Sequence, residues 1–280
     1  MKKLNTILWM AAAVVIGITS CKKEDDTTPS NTNNNPDLGL AIPSNLIKLG
    51  ETYVTGAATK AVVYADKAAS VGYIKIYTAM YDSVTNVRLK DGHFSVTPMM
   101  DMGTMKHSAP VENVSESLPA DQLFKSAVVF SMGGTWMLDI NFHNHVNDKE
   151  GKGTLAITVA NPTVAVMRNF IVAADDSARL FVSLVQPASP KIGLNDFEIT
   201  IHKKADMMNF PAVENYTVEI EPEMPSMGHG SPNNVNPIHT ANGHYLGKVN
   251  FTMSGFWRVH LTIKKNGVLL SNDQYFDITF

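Results

Sequence analysis

The residue types that suggest chemistry first are thioethers and imidazoles set in loops. The stretch EPEMPSMGHGSPNN, Glu221 to Asn234, places two methionines and a histidine among prolines, glycines and small polar residues. Thioether sulfur is a soft, neutral donor that favours Cu(I) over zinc, magnesium or calcium. It binds without losing a proton and cannot form disulfides, which suits an oxidising compartment. Histidine adds a nitrogen that accepts either copper oxidation state. Met224, Met227 and His229 are thus a candidate three-coordinate Cu(I) site, with His239 or His244 as a further donor. A near-copy, DMGTMKHSAP, offers Met102, Met105 and His107, with Met99 or Met100 nearby. Positions three apart point to opposite faces of a strand, so these donors meet only if the loop curls, as Pro225 and Gly228 permit. The same methionines also read as flexible plugs that fill gaps at the open end of a β-sandwich.

Other constellations are thinner. His143-x-His145 puts two imidazoles on one strand face, where they could hold a metal; their setting, NFHNHVNDKEGKG, reads instead as a strand running into a solvated turn with exposed histidines. Asp175–Asp176 and Glu221-x-Glu223 are acidic pairs expected in loops. No partner base, nucleophile elbow or phosphate loop accompanies them, so no catalytic residue is named and no enzymatic activity is expected. Met132 and Met253 read as core residues, and Met207–Met208 as an exposed turn.

The elements that must position the methionine loops come in two copies. Met102, Met105, His107 and Pro110 align with Met224, Met227, His229 and Pro232, 122 residues on. Downstream, VFSMGGTWMLDI (Val129 to Ile140) aligns with NFTMSGFWRVHL (Asn250 to Leu261), setting Phe130, Met132, Gly134 and Trp136 on Phe251, Met253, Gly255 and Trp257. Both halves alternate at the strand period. In DFEITIH, Phe197, Ile199 and Ile201 face one way and Glu198, Thr200 and His202 the other; in FWRVHLTI, Trp257, Val259, Leu261 and Ile263 face inward. YIKIYTA, TLAITV, ARLFVSLV and YFDITF are β-rich, and KDG, KNG and SND read as turns between strands. The expected architecture is all-β: two tandem immunoglobulin-like antiparallel sandwiches at 43–160 and 161–280, of about seven strands each, with a tryptophan in each core.

At these residues a resemblance enters. A strand, MPSMGH, a loop, and then a tyrosine followed by VNFTMSGFWRVHLTI together resemble the YtkA-like domain family, related to FixH-like proteins. The second repeat carries the resemblance over about its last hundred residues. The first departs from it, with MGTMKH for MPSMGH and without the histidines and tyrosine of PIHTANGHY. The resemblance implies a small secreted or membrane-attached β-sandwich, and FixH-like relatives are linked to copper supply for haem-copper oxidases.

Composition bounds the rest. The 280-residue chain is 44% hydrophobic with a net charge of −3, which gives no basic face for nucleic acid. Methionine is abundant, at 15 residues, and the single cysteine, Cys21, excludes an intrachain disulfide. The basic start MKK, the apolar run Ile7 to Ile18 and the small residues before Cys21 make a secretory signal over residues 1–20. ITSC resembles the bacterial lipobox, which implies acyl chains on Cys21 and attachment to the membrane. Residues 21–42 read as a disordered tether, and KKEDD resembles surface-export signals of some lipoproteins. The expected location is the cell envelope: an outer-membrane anchor, on the periplasmic or the surface-exposed face. Two functions follow: a lipid-anchored protein that binds Cu(I) and hands it to a copper donor or acceptor protein, or a non-catalytic interaction or scaffold module with structural methionine loops.

Overall fold

A computed structural model describes residues 41–113 and 122–280. The expected signal segment, Cys21 and the expected tether through residue 40 lie outside the described residues. What is described is all-β, without helix. The first half contributes β1 (Ile47–Val54), β2 (Thr59–Ala65), β3 (Gly72–Asp82), β4 (His93–Asp101), β5 (Lys106–His107), β6 (Val111–Asn113), β7 (Phe124–Phe130), β8 (Gly134–Asn144) and β9 (Lys149–Val159). The second contributes β10 (Met167–Val172), β11 (Ala178–Gln186), β12 (Gly193–Lys203), β13 (Tyr216–Met224), β14 (His229–Gly230), β15 (Val235–His239), β16 (His244–Phe251), β17 (Phe256–Lys265) and β18 (Val268–Thr279).

The two halves have one topology. In the first, a sheet ordered β1-β2-β3-β7-β6 faces one ordered β5-β4-β8-β9; in the second, β10-β11-β12-β16-β15 faces β14-β13-β17-β18. Among the described residues each sandwich has nine strands rather than seven, because the segments around each methionine loop pair briefly and add two short strands. Of the expected turns, KNG closes the β17–β18 hairpin: Asn266 and Gly267 both take positive φ, 50° and 80°, as a two-residue hairpin requires. SND does not form a turn. Ser271 to Asp273 lie within β18, at a register shift where Ser271 Oγ donates to Asp273. Glu221 and Glu223 likewise lie on β13, not in a loop.

Each sandwich has its own core, built from the alternating residues of its two sheets. Trp136 and Trp257 are fully buried, and each indole N–H donates to a backbone carbonyl, of Met132 and Met253, at 3.0 Å. Those two methionines do not enter the core. Strands β7 and β16 end at Phe130 and Phe251, so strand parity stops there and both side chains are exposed.

On β17 the alternation is clean, with Trp257, Val259, Leu261 and Ile263 inward. On β12 it fails, because Thr200 and His202 are as buried as Phe197, Ile199 and Ile201. The cause is tertiary: the outer face of this sheet is where the first sandwich docks. Ser183 stands opposite Thr200, and its Oγ accepts from the Tyr73 N–H at 3.0 Å. Tyr73, Ala127 and Val129 of the first sandwich pack there with Met167 and Val185 of the second. At the junction Gly72 has φ +107°, and a Cβ on it would stand 2.7 Å from Val166 Cγ2. Both the backbone conformation and the close approach call for glycine.

Truncating either tryptophan empties the largest volume in its sandwich. Trp257→Ala is expected to cost about 3–5 kcal/mol, read as a lower denaturant midpoint for the second sandwich. A shift near zero would mean that the indole does not anchor that core.

Candidate metal centre

The second methionine loop does curl. Strand β13 runs into a tight turn at Pro225–Gly228, where the amides of Met227 and Gly228 both donate to the Met224 carbonyl at 3.0 Å. The short strand β14 then returns with His229 directly opposite Met224. Directly opposed residues of an antiparallel pair project to the same face, so Met224 and His229 share a side of the hairpin. That side faces the core: Met224 is 3% exposed and packs over Gly255, and the His229 ring stands edge-on to Trp257 at 5.7 Å. Met227 is separated from both, on the outside of the turn and 60% exposed.

The first loop builds the same arrangement from a different methionine. Here His107 stands opposite Met100, not Met102. Met100 packs over Gly134 as Met224 packs over Gly255, and the His107 ring stands edge-on to Trp136 at 5.3 Å. Pro98 pairs with Leu138 as Pro222 pairs with Val259, which sets Met100, two residues on, in the place of Met224. The one-offset alignment is therefore out of step by two residues, because the first turn is two residues longer. Met102 and Met105 lie in that turn, joined by a 2.9 Å backbone bond and 52% and 44% exposed. Met99 points to the outer face, opposite Met137.

Both histidines are held in one tautomer. Nδ1 of His107 lies 2.9 Å from the Ser108 carbonyl, and Nδ1 of His229 lies 2.9 Å from the Gly230 carbonyl. A carbonyl only accepts, so in the neutral ring Nδ1 carries the proton and Nε2 keeps its lone pair. Nε2 of His107 is buried and meets no partner among the described residues. His229 is half-buried and borders an 830 Å³ polar groove lined by Glu221, Glu223 and His260. In the first hairpin a buried imidazole lone pair thus belongs to the residue paired with an inward methionine, and these are donor types that a soft cation favours.

His239 and His244 do not complete this site. Tyr245, next to His244 on β16 and opposite His239 of β15, donates to the Val213 carbonyl and accepts from the Tyr216 N–H, at the start of β13. Met224 is at the other end of that nine-residue strand, about 27 Å away at ~3.4 Å per residue. His239 packs on the Tyr245 ring at 5.4 Å. Both ring nitrogens of His244 are taken by carboxylates, Nδ1 by Glu198 at 2.7 Å and Nε2 by Glu112 of the first sandwich at 2.9 Å. Burial alone would lower its pKa, but hydrogen bonds and charge from Glu112 and Glu198 outweigh that and push it up to about 9. An imidazolium has no lone pair for a metal. His244 instead clasps the two sandwiches, with Tyr73 edge-on at 5.4 Å and donating to the other oxygen of Glu112. Nearby His202 is driven down to about 4 by burial and stays neutral.

A third group of histidines is not visible as a set in the sequence. His93, at the start of β4, stands opposite His143 on β8, and His145 follows just beyond that strand. One ring nitrogen from each lies within 4.8 Å of the others. The sequence displayed His143-x-His145, but His93 is fifty residues earlier and only strand pairing brings it in. The acidic pair at Asp175 proves structural: Asp175 is buried, accepts from the Tyr216 hydroxyl and pairs with Lys265 at 2.6 Å.

The fold and these hairpins define a class: paired immunoglobulin-like sandwiches, each closed at one end by a methionine–histidine–tryptophan group. Residues 175–262, from Asp175 through Thr262 of β17, match the family described as YtkA-like. That segment contains Met224, Met227, His229 and Trp257. No curated protein matches the chain. Among solved structures, the Escherichia coli adhesin FdeC is similar at 14% identity over 81% of this chain and 65% of its own, with a TM-score of 0.28. The Yersinia pseudotuberculosis adhesin InvE is similar at 15% over 76% and 55%, with a TM-score of 0.24. Domains 5–6 of the S-layer protein SbsC are similar at 14% over 84% and 99%, with a TM-score of 0.28. The chain thus spans about two thirds of the first and about half of the second.

The His244 clasp carries a pH dependence of definite sign. Its folded-state pKa, about 9, lies above the ordinary 6.5, so its stabilisation is complete below about pH 6.5 and is lost as pH rises through about 9. The Tm difference between wild type and His244→Gln is expected to be largest at the acid end of that window and to close above it. A difference constant across the window would exclude the titration.

Proposed function

We propose that this chain is a non-catalytic, lipid-anchored protein of the cell envelope that binds Cu(I) at the inner face of its two methionine–histidine hairpins. The donors are Met100 with His107 and Met224 with His229. Met102, Met105 and Met227, exposed in the adjoining turns, receive the ion from solvent or from a copper donor protein and pass it to an acceptor. Cys21, acylated, attaches the protein to the membrane, on the periplasmic or the outer face of the outer membrane.

The observation that carries this reading is the tautomer. Both rings spend Nδ1–H on a neighbouring carbonyl, which leaves Nε2 with its lone pair on a residue paired directly with an inward methionine. At His107 that nitrogen is buried and meets no partner among the described residues, at a cost of about 1–3 kcal/mol. A soft monovalent ion offsets that cost and needs no proton released from the thioether. The match to the YtkA-like family over the second hairpin agrees with this reading and does not by itself specify copper.

The test is an anaerobic Cu(I) titration of the full chain against a competing chelator. Wild type is expected to take two equivalents. Met100→Leu and Met224→Leu keep the side-chain volume but remove sulfur, and each is expected to weaken one equivalent by tenfold or more, as are His107→Gln and His229→Gln. Unchanged binding in all four variants would leave the hairpins as structural plugs and the protein as an anchored scaffold that presents two sandwiches to a partner.

A further inference from the structure

The histidine group on the outer face of the first sandwich is separate from both hairpins and has its own chemistry. Strand register assembles it. His93 on β4 stands opposite His143 on β8, and Glu150 on β9 stands opposite His143 from the other side. Phe142 and Asn144 are buried, so the alternation of β8 turns His143 outward, and residues opposed across the sheet share that face. His145 lies in the turn beyond β8 and closes over the pair. Its ring stands edge-on to His93 at 4.5 Å and to His143 at 5.1 Å, while His93 and His143 stack at 5.7 Å.

Two carboxylates hold these rings. Asp148 lies 2.9 Å from Nε2 of His143, and Asp91 lies 3.0 Å from Nδ1 of His145. Each contact leaves the second nitrogen of its ring available, the carboxylate–histidine pattern that orients imidazoles around metals. One nitrogen from each of the three rings lies within 4.8 Å of the others. Around a tetrahedral zinc, with bonds of about 2.0–2.1 Å, ligand atoms stand roughly 3.4 Å apart. Side-chain rotation of these partly exposed rings covers the difference. His93, His143 and Glu150 also line a 530 Å³ cleft, which leaves room for a fourth ligand or a water.

The fold itself does not ask for these histidines. Where the second sandwich builds the same strand pair, Thr217 stands opposite Lys264 in the places of His93 and His143. A lysine there excludes a cation, so the cluster belongs to the first repeat alone. We propose that His93, His143 and His145 form a site for a divalent transition-metal ion of the zinc or copper(II) type. The donor set is imidazole nitrogen with carboxylate nearby, which suits those borderline ions and not the Cu(I) that thioethers favour.

The test is calorimetric titration of the metal-free full chain with Zn(II) and, separately, with Cu(II). One equivalent is expected, weakened at least about tenfold in each of His93→Ala, His143→Ala and His145→Ala. Asp148→Asn is expected to weaken it by about tenfold or more through loss of ring orientation. Wild-type Tm in the unloaded variants verifies folding, and His93→Asn serves if His93→Ala is destabilised. As a second readout, Cu(II) resonance spectra are expected to show nitrogen coupling in wild type and to lose it in the triple variant. The hairpin variants His107→Gln and His229→Gln are expected to retain this equivalent, which separates the outcome from that of the Cu(I) experiment. The proposal is overturned if wild type binds neither ion, if the cluster variants bind as wild type, or if only the hairpin variants lose the ion.

Discussion

The geometry of the methionine loops depends on one constraint: in an antiparallel hairpin, the residues directly opposite one another share a face. That rule decides which sulfur meets which imidazole. It pairs Met224 with His229 and Met100 with His107, and it sends the other methionines of each motif to the turn or the outer face. The tryptophan behind each hairpin makes the pairing sharp, because a one-residue slip would turn Met100 or Met224 outward and open the end of the sandwich.

The same arrangement occurs twice, with turns of unequal length. In each copy a methionine covers the glycine that opens the tryptophan strand, a histidine stands edge-on to the indole, and the indole N–H is satisfied by a methionine carbonyl. The copies differ in exposure. His107 is buried and His229 is half-buried beside a polar groove, so a bound ion would exchange with solvent more slowly at the first site than at the second. Behind them the two sandwiches are fastened by apolar packing at Tyr73 and by the His244 clasp. The surface that buries Thr200 and His202 thus belongs to neither sandwich alone.

The fold was largely legible from local patterns. Alternation in FWRVHLTI and DFEITIH, the KNG turn and the repeated tryptophan motif all report short-range physics, and the all-β tandem architecture follows from them. The site was legible in part. The sequence displayed the soft donors and the need for a curl at Pro225 and Gly228. It misassigned Met102, because a single offset cannot reveal a turn lengthened by two residues. It placed Met132 and Met253 inward, because strand parity carries no notice of where a strand ends. Strand period likewise could not tell that β12 is covered on both faces.

The sequence by itself determined the element types, the duplication and the donors on offer, since each rests on neighbours within a few positions along the chain. The tertiary structure decided which donors meet. His239 and His244 lie close to the second motif in sequence, yet a strand length separates them from it, and His244 is claimed by a carboxylate from the other sandwich. His93 is far from His143 and His145 in sequence, yet it is brought beside them by register. Ligand sets depend on distances of a few ångströms between strands, and those distances follow from hydrogen-bond pairing and sheet packing, which no local pattern encodes.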